Sequence, residues 1–109
     1  MERDISNVTD EMADAKVEEV KLRGDERGED VTIIDGMDKA IIGTCINERG
    51  KLVAVYDREL CIQCVMESMG DTESEEDDPY ELATEYFEYN TMRSLPYLKE
   101  NAPIIIDLL

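Results

Sequence analysis

The chain contains no histidine, and no lysine or arginine lies between Glu59 and Met92. Without histidine, a Ser or Cys nucleophile would need Lys or a carboxylate as its base. A zinc site would lose one of its two usual ligand types. There is no Gly-rich loop of the kind that cradles phosphate. No apolar run approaches the roughly 20 residues of a bilayer span. No apolar h-region follows Met1, so no secretory signal is expected. Three cysteines supply no disulfide framework and fit a reducing compartment. These absences point to a non-enzymatic, cytoplasmic protein that needs no cofactor and binds no membrane.

What the sequence has in excess is negative charge. Its 109 residues carry 28 acids against 11 bases, a net charge of −17. The base-free window holds eleven of the acids: Glu59, Glu67, Asp71, Glu73, Glu75, Glu76, Asp77, Asp78, Glu81, Glu85 and Glu88. Residues 1–30 supply the remaining −6, and residues 31–58 and 93–109 each sum to zero. Binding to nucleic acid or to an anionic membrane needs basic groups to meet phosphate, so direct contact with either is not expected. A basic partner is favoured, and enzymes with nucleic-acid channels are of that kind. Self-repulsion also burdens a small domain. A homodimer, or a partner that neutralises charge, would relieve it.

Along the chain, residues 1–30 read as an acidic, flexible tail. Ile5, Val8, Met12 and Ala15 keep an approximate helical spacing, as do Val17 and Val20, but the charge around them is dense. Residues 24–30 contain no large apolar residue and read as a linker. Residues 31–109 read as a single domain. Val31 to Ile34 is a short β-branched run. Ala40 to Ile46 and Leu52 to Tyr56 predict two strands, joined at Asn47-Glu48-Arg49-Gly50 into a hairpin. Asp57 is placed to cap a helix whose apolar stripe is Leu60, Cys61, Cys64, Val65 and Met69, with Gly70 ending it. Asp78-Pro79-Tyr80-Glu81 predicts a second helix start. Leu82, Ala83, Tyr86, Phe87 and Asn90 then line one face, and the helix ends near Ser94. Pro103 to Asp107 predicts a third strand. The expected fold is a small α+β domain of order β-β-α-α-β: a three-stranded, mainly antiparallel sheet packed with two helices.

Several of these stretches share a pattern. They are Asp35-Gly36-Met37-Asp38-Lys39-Ala40, Tyr56-Asp57 followed by Cys61-Ile62, Glu85-Tyr86-Phe87-Glu88-Tyr89-Asn90, and Pro103-Ile104. Over about two thirds of its length the chain resembles a group of short proteins encoded in phage and prophage genomes. It departs from them in carrying Leu60 where a Lys is usual and in a longer, more acidic loop between the helices. The resemblance implies a phage context, and so the host cytoplasm. It transfers no catalytic or binding residue.

Two motifs invite metal or redox chemistry. Cys61-Ile62-Gln63-Cys64 puts two thiols one helical turn apart, but only Cys45 could add a third ligand to the four that zinc needs. A redox pair gains thiolate stability at a helix N-terminus, and here Asp57 and Glu59 surround that end and oppose it. Small buried hydrophobes are the expected role. Asp71, Glu73 and Glu75 alternate like calcium-loop ligands, yet Glu76 stands where the loop needs Gly and Leu82 where it needs Glu.

The remaining signal is the carboxylate stripe. Asp78, Glu81, Glu85 and Glu88 recur at about one helical turn and continue from the loop acids Asp71, Glu73, Glu75, Glu76 and Asp77. Like charges at this spacing cost a few tenths of a kcal/mol per pair in an isolated helix. Regularly spaced negative charge resembles that of duplex DNA. The expected role is an anti-defence inhibitor that occupies the basic channel of a host protein such as a CRISPR effector or restriction enzyme, with Tyr80 and Tyr89 as aromatic anchors. The alternative is a homodimeric structural or adaptor module whose acids serve solubility.

Overall fold

The computed structural model describes residues 4–69 and 78–108. Helix α1 spans Asp10–Arg27, strands β1 and β2 span Ile41–Ile46 and Leu52–Asp57, helices α2 and α3 span Arg58–Met69 and Pro79–Tyr86, and strand β3 spans Ile104–Ile106. Among the described residues the fold is α+β, with one sheet in the order β1-β2-β3.

The expected hairpin forms. β1 and β2 pair antiparallel, from Ile46 opposite Leu52 to Ile41 opposite Tyr56. The Asn47 side chain shapes the turn by accepting from the amides of Arg49 (2.9 Å) and Lys51 (3.0 Å). A bulge at Ile42 interrupts the register. Leu52, Ala54 and Tyr56 alternate along β2 and are all buried.

The expectation of a mainly antiparallel sheet needs correction, because β3 pairs parallel to β2, Val55 with Ile104 and Asp57 with Ile106. The sheet is mixed. The connection explains the direction. Beyond α3 the chain continues as a π-helical turn over Phe87–Met92 and a 3-10 segment over Leu95–Asn101. There the Asn47 side-chain amide donates to the Glu100 carbonyl (2.7 Å), tying the segment to the hairpin turn from which β2 departs. The chain thus enters β3 from the end at which β2 begins. Parallel pairing needs such a long crossover, and the helices supply it.

The N-terminal segment also departs from expectation. It is not a tail: α1 docks on the domain, burying Ala13, Val20 and Gly24, while Ile5 in the 3-10 turn before it is buried against the same core. Ala13, Val17, Val20 and Gly24 form a narrow stripe of small residues, whereas Met12 and Leu22 face outward. Thr9 caps α1 by accepting from the Met12 amide (3.1 Å). Gly28, at φ +70°, closes it in a Schellman arrangement, with Gly28 N–H on the Asp25 carbonyl and Glu29 N–H on the Gly24 carbonyl. The residues expected as a linker therefore form a helix terminus. Arg27 fastens it to the hairpin by donating to the Gly50 carbonyl (3.0 Å), and Glu29 accepts from the Leu52 amide (3.2 Å). The neighbouring Arg27 guanidinium holds the Glu29 carboxyl below its usual range.

Two substitutions test the docking of α1. Val20→Ala removes two buried methyl groups and is expected to lower unfolding free energy by about 2 kcal/mol in urea titration, where an undocked tail would give no change. Gly24→Ala is expected to destabilise as well. Its new Cβ would lie 2.7 Å from the Glu29 carbonyl oxygen and 2.8 Å from a Val31 methyl. That clash opposes the helix propensity of about 1 kcal/mol that Ala gains over Gly.

Candidate interaction surface

The carboxylate surface stands on the packing of α3 against α2. Asp78 caps α3, its carboxylate accepting from the Tyr80 amide at 3.0 Å, and Pro79 opens the first turn. Ala83 and Phe87 are fully buried and anchor the helix to the core that contains Leu60, Cys61, Cys64 and Val65. Tyr86 and Asn90, expected on the inner face, are exposed. The inward stripe is therefore narrow, and a broad outer face carries Glu81, Glu85 and Glu88 into solvent.

The acids of that face are not equivalent. Glu88 is engaged by the Arg58 guanidinium from the start of α2. Asp78 has committed one carboxylate oxygen to the helix cap. Glu81 and Glu85 are exposed and form no ion pair among the described residues. Tyr80 is held by a hydrogen bond from its hydroxyl to the Glu59 carboxylate (2.6 Å), and that bond pushes the hydroxyl pKa up. Tyr89 is 67% exposed, with the Arg93 guanidinium 4.8 Å from its ring centroid. The loop acids Asp71, Glu73, Glu75, Glu76 and Asp77, and the expected helix end at Gly70, lie outside the described residues.

A second acidic face follows from the docking of α1. Asp10, Glu11, Asp14, Glu18 and Glu19 are exposed along it. Lys39 reaches Asp10 at 3.5 Å and Glu67 at 3.3 Å, linking the two acidic elements, and its hydrogen bond to Glu67 raises the ammonium pKa. Sequence reading missed this face because it assigned α1 to a tail. The available signal was Thr9 followed by two acids, an N-cap with a charged first turn.

The thiols of the CxxC are packing groups. Cys61 is fully buried and Cys64 nearly so. Burial pushes their thiols up to about 12 and about 11, where the thiolate needed for redox chemistry or metal ligation is scarce. Burial likewise raises Tyr56 to about 12. Among the described residues no group of three or more Cys, Asp or Glu is placed to hold a metal ion. No helix among them is long and apolar enough to cross a membrane.

These raised values predict alkaline sensitivity. The unfolded chain releases the thiol protons near pH 9 and the Tyr proton near pH 10, while the folded chain keeps them. The stabilisation is complete below pH 9 and is lost as pH climbs toward 11–12, each group adding a slope of up to about 1.4 kcal/mol per pH unit. Urea midpoints measured from pH 8 to 11 should fall, and Cys61→Ala with Cys64→Ala should flatten the fall.

No protein-family model, no curated protein and no solved structure matches the chain. The guide to its function is therefore the chemistry of these surfaces.

Proposed function

We propose that the protein is a non-enzymatic, acidic inhibitor that binds a basic nucleic-acid-handling host protein and competes there with nucleic acid. The observation that carries this reading is the pair Glu81 and Glu85, exposed on a helix whose other side is locked into the core by Ala83 and Phe87. Charges on such a frame hold their spacing, so a basic channel can meet them without first ordering them. The net charge of −17 adds long-range attraction to a basic target and speeds encounter at low salt. The phage resemblance fits an anti-defence role in a host cytoplasm, with a CRISPR effector or a restriction enzyme as the kind of target. The loop acids Asp71, Glu73, Glu75, Glu76 and Asp77 extend the charge in sequence.

The test is a pull-down from host lysate eluted by stepped salt, with wild type compared to Glu81→Lys/Glu85→Lys. A basic nucleic-acid enzyme should be retained by wild type and released by salt or by competing DNA. In a purified binding assay each reversal should weaken it on the order of tenfold. Retention of the same enzyme by the double variant at equal salt would remove this surface from the reading.

A second reading is favoured by one feature. β1 is an edge of the sheet, and Ile42 and Ile46 on it are exposed. An apolar edge strand is a template for pairing with another copy. A homodimer formed there would resist salt, because it would rest on backbone hydrogen bonds and apolar burial. Sedimentation equilibrium in 50 mM and 1 M salt decides it: a dimer that persists in both and is broken by Ile46→Lys would support the adaptor module.

A further inference from the structure

We propose that the segment from Ile5 through the first half of α1 is a charge-controlled strap, which opens ahead of the rest of the fold to uncover Cys64 and closes more firmly when Asp38 takes up a proton. The inference stands apart from the partner-binding reading above. The two halves of α1 are held unequally. The second half buries Val20 and Gly24, and Gly24 leaves no room for a Cβ against Glu29 and Val31. Arg23 donates there to the Thr44 hydroxyl (2.9 Å), and Arg27 to the Gly50 carbonyl (3.0 Å). Of the first half, Asp10 to Lys16, only Ala13 is buried, with a single methyl to offer. Ahead of it Ile5 is buried, and its amide donates to the Gln63 side-chain oxygen (2.7 Å). Among the described residues, the ion pair on this half joins Asp10 to Lys39 at 3.5 Å, and the Asp10 side chain is 93% exposed. Water screens such a pair. Segments with few buried apolar contacts and exposed polar ones are the first to open locally.

The space beneath the strap is not close-packed. A cleft of about 330 Å³ lies between α1, the 3-10 turn at Asp38–Ala40 and α2, lined by Ile5, Ala13, Asp14, Asp38, Cys64 and Glu67. Lys39 spans it, reaching Asp10 on the strap and Glu67 on α2 (3.3 Å), and so acts as the clasp. Asp38 works against the clasp. The charged and titratable groups that face it are Asp14 and Lys21 from α1, Asp35 from the turn before it, Tyr56 from β2 and Cys64 from α2. Burial, and then the charges of Asp14 and Asp35, push its carboxyl above the usual range, with Lys21 pulling the other way. Lys21 belongs to the anchored half. Opening therefore takes Asp14 away and admits water while Lys21 remains, and each change favours the ionised carboxylate. The closed strap holds the proton better than the open one. Closure is thus favoured as pH falls toward the ordinary Asp value of 3.8, and weakened as pH rises above the closed-state value. The two acidic faces then differ in character: Glu81 and Glu85 stand on a fixed frame, whereas Asp10, Glu11 and Asp14 ride on the strap.

The experiment uses the full-length protein carrying Cys45→Ser, which removes the half-buried third thiol. Amide hydrogen exchange is read beside native-state alkylation, with fragment masses that separate Cys61 from Cys64. Amides 14–17 should be roughly tenfold less protected than amides 20–23, and Cys64 should be alkylated roughly tenfold faster than Cys61. Lys39→Met should lower protection at 14–17 and speed Cys64 alkylation together, each about fivefold, with Cys61 unchanged. Protection at 14–17 should be higher at pH 4.5 than at pH 7, and Asp38→Asn should raise it at pH 7 and erase the difference. Fraying of the helix end alone would leave Cys64 covered and both variants without effect. Equal protection of the two halves, alkylation of both thiols at one rate, or no response to Lys39→Met overturns the strap. Lost protection in Asp38→Asn, or equal protection at the two pH values, overturns its control by charge. The pH comparison needs neither of these variants, so it decides even where a substitution unfolds the chain.

Discussion

The hydroxyl of Tyr56 accepts the Ile34 amide at 2.8 Å from inside the core, and the rest of the fold is arranged around that strand. β2 is the central strand, bordered by β1 on one side and β3 on the other. Tyr56 is fully buried, and burial raises the pKa of its phenol. A buried phenol needs a partner, and the Ile34 amide provides it. The bond also holds residues 31–37 across the core, where Val31, Ile33 and Ile34 pack although they form no regular element. Asp57, the next residue, is buried at the junction of β2 and α2, and its carboxylate accepts from the Glu59 amide at 2.9 Å. One strand thus sets the sheet, pins the loop before it and starts the helix after it.

Around this core the electrostatic problem is handled by placement. Among the described acids, all but Asp57 keep at least partial contact with solvent. Among the described residues three ion pairs join separate parts of the chain: Lys39 with Asp10 and with Glu67, and Arg58 with Glu88. Exposed pairs of this kind contribute roughly 0–1 kcal/mol each, so they do not hold the fold together. Their effect is on pattern. Arg58 and Lys39 pair with Glu88, Glu67 and Asp10, and Glu81 and Glu85 on α3 and Glu11, Asp14 and Glu18 on α1 are among the exposed acids left unpaired. At physiological ionic strength the Debye length is about 8 Å, so distant acids are screened from one another while a close-fitting basic partner would still meet them.

The same helix pair brings the acids and the exposed aromatic rings together. Phe87 and Ala83 use the narrow inner stripe of α3, leaving Tyr86, Tyr89 and the glutamates on the wide outer side. A helix that buried Tyr86 as well would turn its carboxylates through a different arc and would hide one of the exposed rings. The function proposed here follows from this division. In the proposed function charge would bring a basic partner near, and the exposed rings would give it something to bury.

Much of this was readable from residue order. The hairpin was legible because β-branched runs flank a turn with Asn47 and Gly50, and α2 and α3 because Asp57 and Asp78 are caps followed by helical periodicity. The burial of Cys61 and Cys64 was legible from the stripe they share with Leu60 and Val65. Local chemistry acts within a few residues, and the sequence by itself determined these elements. The direction of β3, the docking of α1 and the sorting of the carboxylates were decided only in three dimensions. β3 runs parallel because Glu100 is held at the hairpin turn by Asn47, a contact 53 residues apart in sequence. α1 is a helix of the domain because small residues at Ala13, Val17, Val20 and Gly24 fit a close approach whose energy lies in packing, which composition does not display. Arg58 neutralises Glu88 across 30 residues, so a stripe of equal charges in sequence becomes a pair of free glutamates beside the exposed rings of Tyr86 and Tyr89. Long-range contacts choose among the arrangements that local preferences leave open, and here they chose where the charge is left exposed.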